Sequence, residues 1–208
     1  RDEVAARLPG ILARLNPGGG TVAPRPARAT PQVWSRAIQT ALGRDVGRNA
    51  RMSAAQDALR IAQTQGWQDN RHAFSHYAMG RVTQMTDPAA AQTHYQMADT
   101  LYARTPGTTL HRAYVATQRA GYAVTIGDGA GALALIAPHL PVAEASENAA
   151  LLATLMLLKA EALEIEGRGI EARRVRLDSI GWARYGFGPD WAVRAKLREI
   201  ASLNPRNG

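Results

Sequence analysis

The sequence predicts an all-α fold, and three observations carry that prediction. Alanine and leucine are in excess while runs of Ile, Phe or Thr are few, and these side chains lose little freedom in a helical backbone. Segments with helix-forming composition alternate with short breaks, as expected for antiparallel helix pairs. Four turn-type residues, Gly47, Asp87, Gly127 and Gly167, recur at a constant spacing of 40 residues. With 208 residues, 46% of them hydrophobic and 20% charged, the chain is long and apolar enough for one folded core or a short repeat array.

Taken in order, residues 1–16 form a short N-terminal helix or tail. Val4, Leu8, Ile11, Leu12 and Leu15 share one side of it, while Pro9 and Gly10 interrupt it. Residues 17–31, PGGGTVAPRPARATP, hold three consecutive glycines and four prolines and read as a linker. From residue 32 to residue 208 the chain is one helical repeat domain. Helices are expected over 32–44, 49–65, 69–85, 88–104, 108–126, 129–137, 146–166, 169–185 and 189–202, the last helices forming a C-terminal cap near 181–203. Gly and Asp suit the tight turns within each pair because they tolerate positive φ or bond the neighbouring backbone.

The 40-residue offset also aligns residues inside the helices, which an accidental spacing would not do. Thirteen residues before the turns stand Trp34, Phe74, Tyr114 and Thr154. Seven residues before them stand Thr40, Gly80, Ala120 and Ala160, all small enough to let two helix backbones approach. Four or five residues after the last three turns come Ala91, Ala132 and Ala172, where the second helix of a pair would cross the first.

The segment HYAMGRVTQMTDPAAAQTHYQMA, through Met79-Gly80, Ala91, Tyr95 and Ala98, resembles the tetratricopeptide repeat superfamily. KAEALEIEGRGIEA is similar through Ala160, Leu163, Gly167 and Ala172, and the central pair through Ala120, Gly127 and Ala132. The resemblance covers roughly residues 32–180. It departs from the family in its period, 40 residues here against about 34 there, and in lacking the family's proline after the second helix. What it implies is a right-handed superhelical stack of antiparallel hairpins whose first helices line a concave groove. At the groove positions this sequence carries Trp34, Phe74, Tyr77, Arg81, Gln84, Tyr114, Thr117, Gly121, Glu161 and Glu164. Aromatic rings and an arginine there would offer rigid contact area and a carboxylate-binding fork to a peptide. Trp34, Phe74 and Tyr114 can equally serve to pack hairpin against hairpin, and both readings stay open.

No chemistry-bearing constellation stands out. Cysteine is absent, which removes disulfides, thiolate catalysis and cysteine-ligated metals. His72 and His76 sit at i, i+4, a spacing able to point two imidazoles at one ion, but no HExxH pattern or third ligand accompanies them. His94, His111 and His139 look scattered. No serine lies in a GxSxG turn, and neither GGG at 18–20 nor GDGAG at 127–131 makes a phosphate loop. Glu144, Glu147, Glu161, Glu164, Glu166 and Glu171 read as a solvated face. No catalytic residue, metal or cofactor is therefore expected.

The formal charge is +8, almost all of the cationic charge being arginine, with Lys159 and Lys196 the only lysines. No run of five or six basic residues concentrates it. A second patch lies near the C-terminus, where Trp182, Tyr185, Phe187 and Trp191 cluster beside Arg173, Arg174, Arg176, Arg184 and Arg194. It reads as a structural cap or as a docking patch, and Gly186 and Gly188 are expected to end the helix before it. No apolar stretch reaches the roughly 18 residues a membrane-spanning helix needs. The chain begins at Arg1 rather than methionine, which is compatible with a removed signal peptide, an anchor or a preceding domain; periplasmic, envelope-associated and cytoplasmic placements stay open. The function expected is a non-catalytic scaffold binding a protein or peptide along the groove. The alternative is a regulatory or sensory domain binding nucleic acid or a small ligand through the basic C-terminal end.

Overall fold

The computed structural model describes residues 31–190, together with positions 194 and 198. The expected N-terminal helix over 1–16, the linker up to residue 30, Trp191 and most of the expected helix 189–202 lie outside the described residues. Within those residues the chain is all-helical, with no strand. The helices are α1 (Pro31–Leu42), α2 (Arg48–Thr64), α3 (Asn70–Thr83), α4 (Pro88–Ala103), α5 (Thr109–Thr125), α6 (Gly129–Ile136), α7 (Leu140–Ala145), α8 (Ala149–Ile165) and α9 (Gly169–Phe187), with a 3₁₀ turn, Ala137–His139, before α7. None is long and apolar enough to cross a membrane.

Local chemistry places the ends. Asp69, Asp87, Asp128 and Asn148 each precede a helix, and their side chains accept from the backbone N–H of Arg71, Ala90, Gly131 and Leu151, respectively. These bonds satisfy donors that the first helical turn leaves without partners. Pro31 and Pro88 begin α1 and α4, where a missing N–H costs nothing. At the other end, Gly127 (φ 79°) and Gly167 (φ 75°) take the left-handed conformation after α5 and α8. Each is followed by a backbone bond that closes the helix, Asp128 N–H to Ala123 O and Arg168 N–H to Leu163 O, both 2.8 Å.

The residues spaced 40 apart thus fall in the turns between α1 and α2, α3 and α4, α5 and α6, and α8 and α9. Each helix packs on its neighbour in sequence up to α6; α8 then packs on α5, α6 and α9. The aligned small residues are buried: Gly80, Ala120 and Ala160 in the first helices, and Ala91, Ala132 and Ala172 in the second. A Cβ on Gly80 would stand 2.6 Å from the Tyr95 ring, so that position requires glycine for close approach.

Two expectations are corrected here. The segment 138–145 is not a break: Pro138 and Pro141 each stand second in a helical element, the 3₁₀ turn Ala137–His139 and α7, within the first turn where proline is tolerated. Gly186 does not end the last helix either. The helix continues to Phe187 and stops at Gly188 (φ 87°), while Gly186 lets α9 approach α8, since a Cβ there would lie 2.4 Å from the Ala150 backbone nitrogen.

Candidate aromatic cleft

In the first two hairpins, bulky aromatics occur at helical spacing and meet across helix boundaries. Phe74 and Tyr77 are three residues apart on α3 and stack, with ring centroids 5.8 Å apart and planes inclined by 6°. Trp34 on α1 reaches Phe74 at 6.5 Å and meets Trp67 edge-on at 5.9 Å. Arg71 lies over the Trp67 ring, its guanidinium carbon 3.8 Å from the centroid. Asp69 orients that guanidinium through hydrogen bonds, and the bonds from Arg71 hold the Asp69 carboxyl below its ordinary pKa.

Between α3, α4 and α5 these rings border an open cleft of about 220 Å³ lined by Phe74, Tyr77, Tyr102, His111 and Tyr114. The His111 ring sits 5.2 Å from that of Tyr102. Tyr114 is 40% exposed, so its face is available, while its hydroxyl accepts from Asn148 Nδ2 at 2.7 Å. The lining is almost wholly apolar ring surface, the composition that favours an apolar or aromatic guest. A larger cleft of about 400 Å³, walled by Leu133, Ile136, Leu140 and Leu163, has Arg168 and Glu171 at its rim, and these two are already paired with each other.

Of the ten groove positions, the structure brings Phe74, Tyr77 and Tyr114 together in the cleft and sets Trp34 beside Phe74. Trp34 packs hairpin against hairpin: it is half-buried against Trp67 and Phe74, and its indole N–H donates to Ser75 Oγ at 2.8 Å. Arg81, on the next turn of α3, is half-buried and lies near Tyr95, whose pKa burial raises against the opposing charge of Arg81. The other positions are buried or held by partners within the chain. Thr117 is buried and donates to the Tyr114 carbonyl at 2.7 Å, and Gly121 is buried. Gln84 Oε1 accepts from the Tyr95 hydroxyl at 2.5 Å. Glu161 and Glu164 grip Arg176 of α9 at 3.0 Å each, an ion-pair cluster inside the last hairpin rather than a free acidic face.

Tyr102 and His111 were missed by sequence reasoning because neither sits at a groove-aligned position; His111, three residues before Tyr114 on α5, was the available signal. The histidines are also less scattered than they look. The His72 and His76 rings stack at 5.1 Å, and His76 Nδ1 lies 3.1 Å from His94 Nδ1 across the α3–α4 contact. Burial, followed by the charges of His72 and His94, pushes the His76 pKa down to about 4. His94 is lowered by burial as well. Among the described residues no group of three His, Asp or Glu is placed to hold a metal ion.

In the C-terminal patch, Arg173 and Arg174 are exposed, Trp182 is 42% and Tyr185 83% exposed, and Phe187 packs against Ala153 and Ala183. Arg184 pairs with Asp190. No family model matches the chain, and no curated protein or solved structure matches it.

Proposed function

We propose that the chain is a non-catalytic interaction module in which tetratricopeptide-like hairpins stack into a right-handed superhelix and present an aromatic cleft to a peptide or protein partner. The observation that carries the reading is the convergence of five rings from three successive helices on one open cleft of about 220 Å³. Rigid aromatic side chains give large contact area at small entropic cost, which is why they dominate binding hot spots. The guest is an apolar or aromatic side chain of an extended or helical segment, with Arg81 on the same helix as a cationic neighbour. Support for the repeat arrangement is local: turns 40 residues apart and buried small residues at the aligned crossings.

The ring tips favour binding over proton transfer. In the cleft the Tyr114 hydroxyl is engaged with Asn148, and outside its lining the Tyr95 hydroxyl is engaged with Gln84. Burial raises the pKa of Tyr95 and Tyr102 above that of an ordinary phenol, so both stay protonated near neutrality.

Affinity capture of the protein from its own cells after mild crosslinking tests the reading, with Tyr77→Ala plus Tyr114→Ala as the comparison. A reproducible partner set recovered by the parent and lost by a variant of equal helical content supports the cleft. An unchanged set removes it.

A second reading is favoured by one observation, the exposure of Arg173, Arg174 and Tyr185 on α9. Nucleic acid bound there would show an affinity falling steeply with salt. Absence of binding at low salt discards this alternative.

A further inference from the structure

On a different side of α5 from the aromatic cleft, Arg112 and Arg119 converge with Asp99 of α4 and His139 of the 3₁₀ turn around a cleft of about 170 Å³, walled by Leu135 and Pro138. Arg112 Nε donates to Asp99 Oδ1 at 2.8 Å. Arg119 Nη1 stands 3.7 Å from Asp99 Oδ2, near enough for Coulomb attraction and too far for a hydrogen bond. Two guanidiniums therefore share one carboxylate, and one positive charge is left over. His139 adds none near neutrality, because burial, and then the neighbouring Arg112, hold its pKa down against the opposing effect of Asp99. The residue is 9% exposed, and its buried Nδ1 has no hydrogen-bond partner.

A bland ion-pair cluster would match its charges, and this one does not. The surplus lies beside low-dielectric walls, where water screens it less than at an open surface. A guanidinium has donors in a planar fork that matches a carboxylate two-to-two. A monoanion matches the single surplus charge, whereas a phosphate dianion exceeds it and is repelled more strongly by Asp99.

We propose that the Asp99–Arg112–Arg119–His139 cleft is a binding site for a carboxylate, supplied by a small organic acid or by a peptide chain. Arg119 is the main recognition residue, and Asp99 holds Arg112 in place as the second.

The test is a titration of the full chain, ¹⁵N-labelled on arginine, with acetate at constant ionic strength, following the side-chain Nε–H resonances of Arg112 and Arg119. Inorganic phosphate is the parallel probe. Saturable shifts with a Kd on the order of 1 mM for acetate, with phosphate binding no more tightly, are expected. Arg119→Gln should weaken acetate binding about tenfold or more. No saturable shift, tighter binding of phosphate, or unchanged affinity in Arg119→Gln overturns the proposal. Should the Gln variant not fold, Arg119→Lys decides: it keeps the charge without the fork, and acetate affinity equal to the parent's overturns the assignment. Succinate and N-acetylalanine separate the two sources, a shift at lower concentration with either one supporting the site and naming the source it serves.

Discussion

The first two hairpins and the last two are held together by different chemistry. Between α1 and α4 a small aliphatic cluster around Ile38, Met79 and Val82 is joined by aromatic rings with polar tips. Trp34 bonds Ser75, Tyr95 bonds Gln84, and three histidines lie against one another across α3 and α4. From α5 to α9 the main core is aliphatic: Ala120, Val124, Ile136, Leu151, Leu152, Leu155 and Leu158 pack with few polar atoms among them. Helix α8 is apolar around most of its circumference because α5, α6 and α9 enclose it. An aliphatic core of this kind stabilises by burial alone and is indifferent to pH. A core of rings with polar tips is more specific in geometry and responds to protonation. The aromatic cleft opens where the second kind meets α5.

The comparison breaks most visibly at Leu155, which is fully buried at the centre of the aliphatic region. Leu155→Ala should cost about 3–4 kcal/mol through lost transfer energy and the cavity left behind. The loss should be the same at pH 7.5 and pH 5.5, read from urea melts followed by circular dichroism. A cost under about 1 kcal/mol would mean that α8 is not the pillar of this half.

The pH response should belong chiefly to the other half. The His76 pKa is lower in the folded chain, about 4, than its unfolded value of 6.5. A depressed histidine means that the unfolded chain takes up protons the folded chain refuses. The contribution is therefore fully present above pH 6.5 and is lost as pH falls from 6.5 towards 4. One such proton gives at most about 1.4 kcal/mol per pH unit, so stability should drop by about 2 kcal/mol between pH 6.5 and pH 5. His76→Gln should flatten that slope. The groups facing His76 are His72 on its own helix and His94 on α4; His94 is itself depressed, so part of the slope should survive. A slope unchanged by His76→Gln would place the titration elsewhere, for instance at His139 in the aliphatic half.

What the sequence made legible follows the same division. Helix spans and the small residues at the crossings could be read because they depend on local propensity and on a repeated offset, as at Ala120, Ala132, Ala160 and Ala172. The site was readable only in part. Phe74, Tyr77 and Tyr114 fall on the cleft because α-helical spacing fixes which residues share a stripe. Gln84, Thr117, Glu161 and Glu164 do not, because each is claimed by a partner that spacing cannot foresee: Tyr95, a backbone carbonyl, and Arg176. The His76–His94 contact spans 18 residues and two helices, and nothing in either local segment announces it. The C-terminal half hid one element, α7, because prolines 138 and 141 resemble breaks until the 3₁₀ turn shows them at helix starts.

The smallest effect is also the sharpest test of how the aromatic half is packed. At Gly80 an added methyl would stand 2.6–2.9 Å from three atoms of the Tyr95 ring, which is fully buried and tied to Gln84. Overpacking of this kind costs about 1–3 kcal/mol, while replacing a mid-helix glycine by alanine returns about 1 kcal/mol in propensity. Gly80→Ala should therefore destabilise by about 1 kcal/mol net. The sign should reverse once the ring is gone: in a Tyr95→Leu background, the same change should stabilise by about 0.5–1 kcal/mol, because only the propensity gain remains. Denaturation of the four proteins in this double-mutant cycle would read the coupling directly. If Gly80→Ala has the same effect in both backgrounds, the small residue is not there to admit Tyr95, and the close crossing of α3 and α4 rests on something other than this contact.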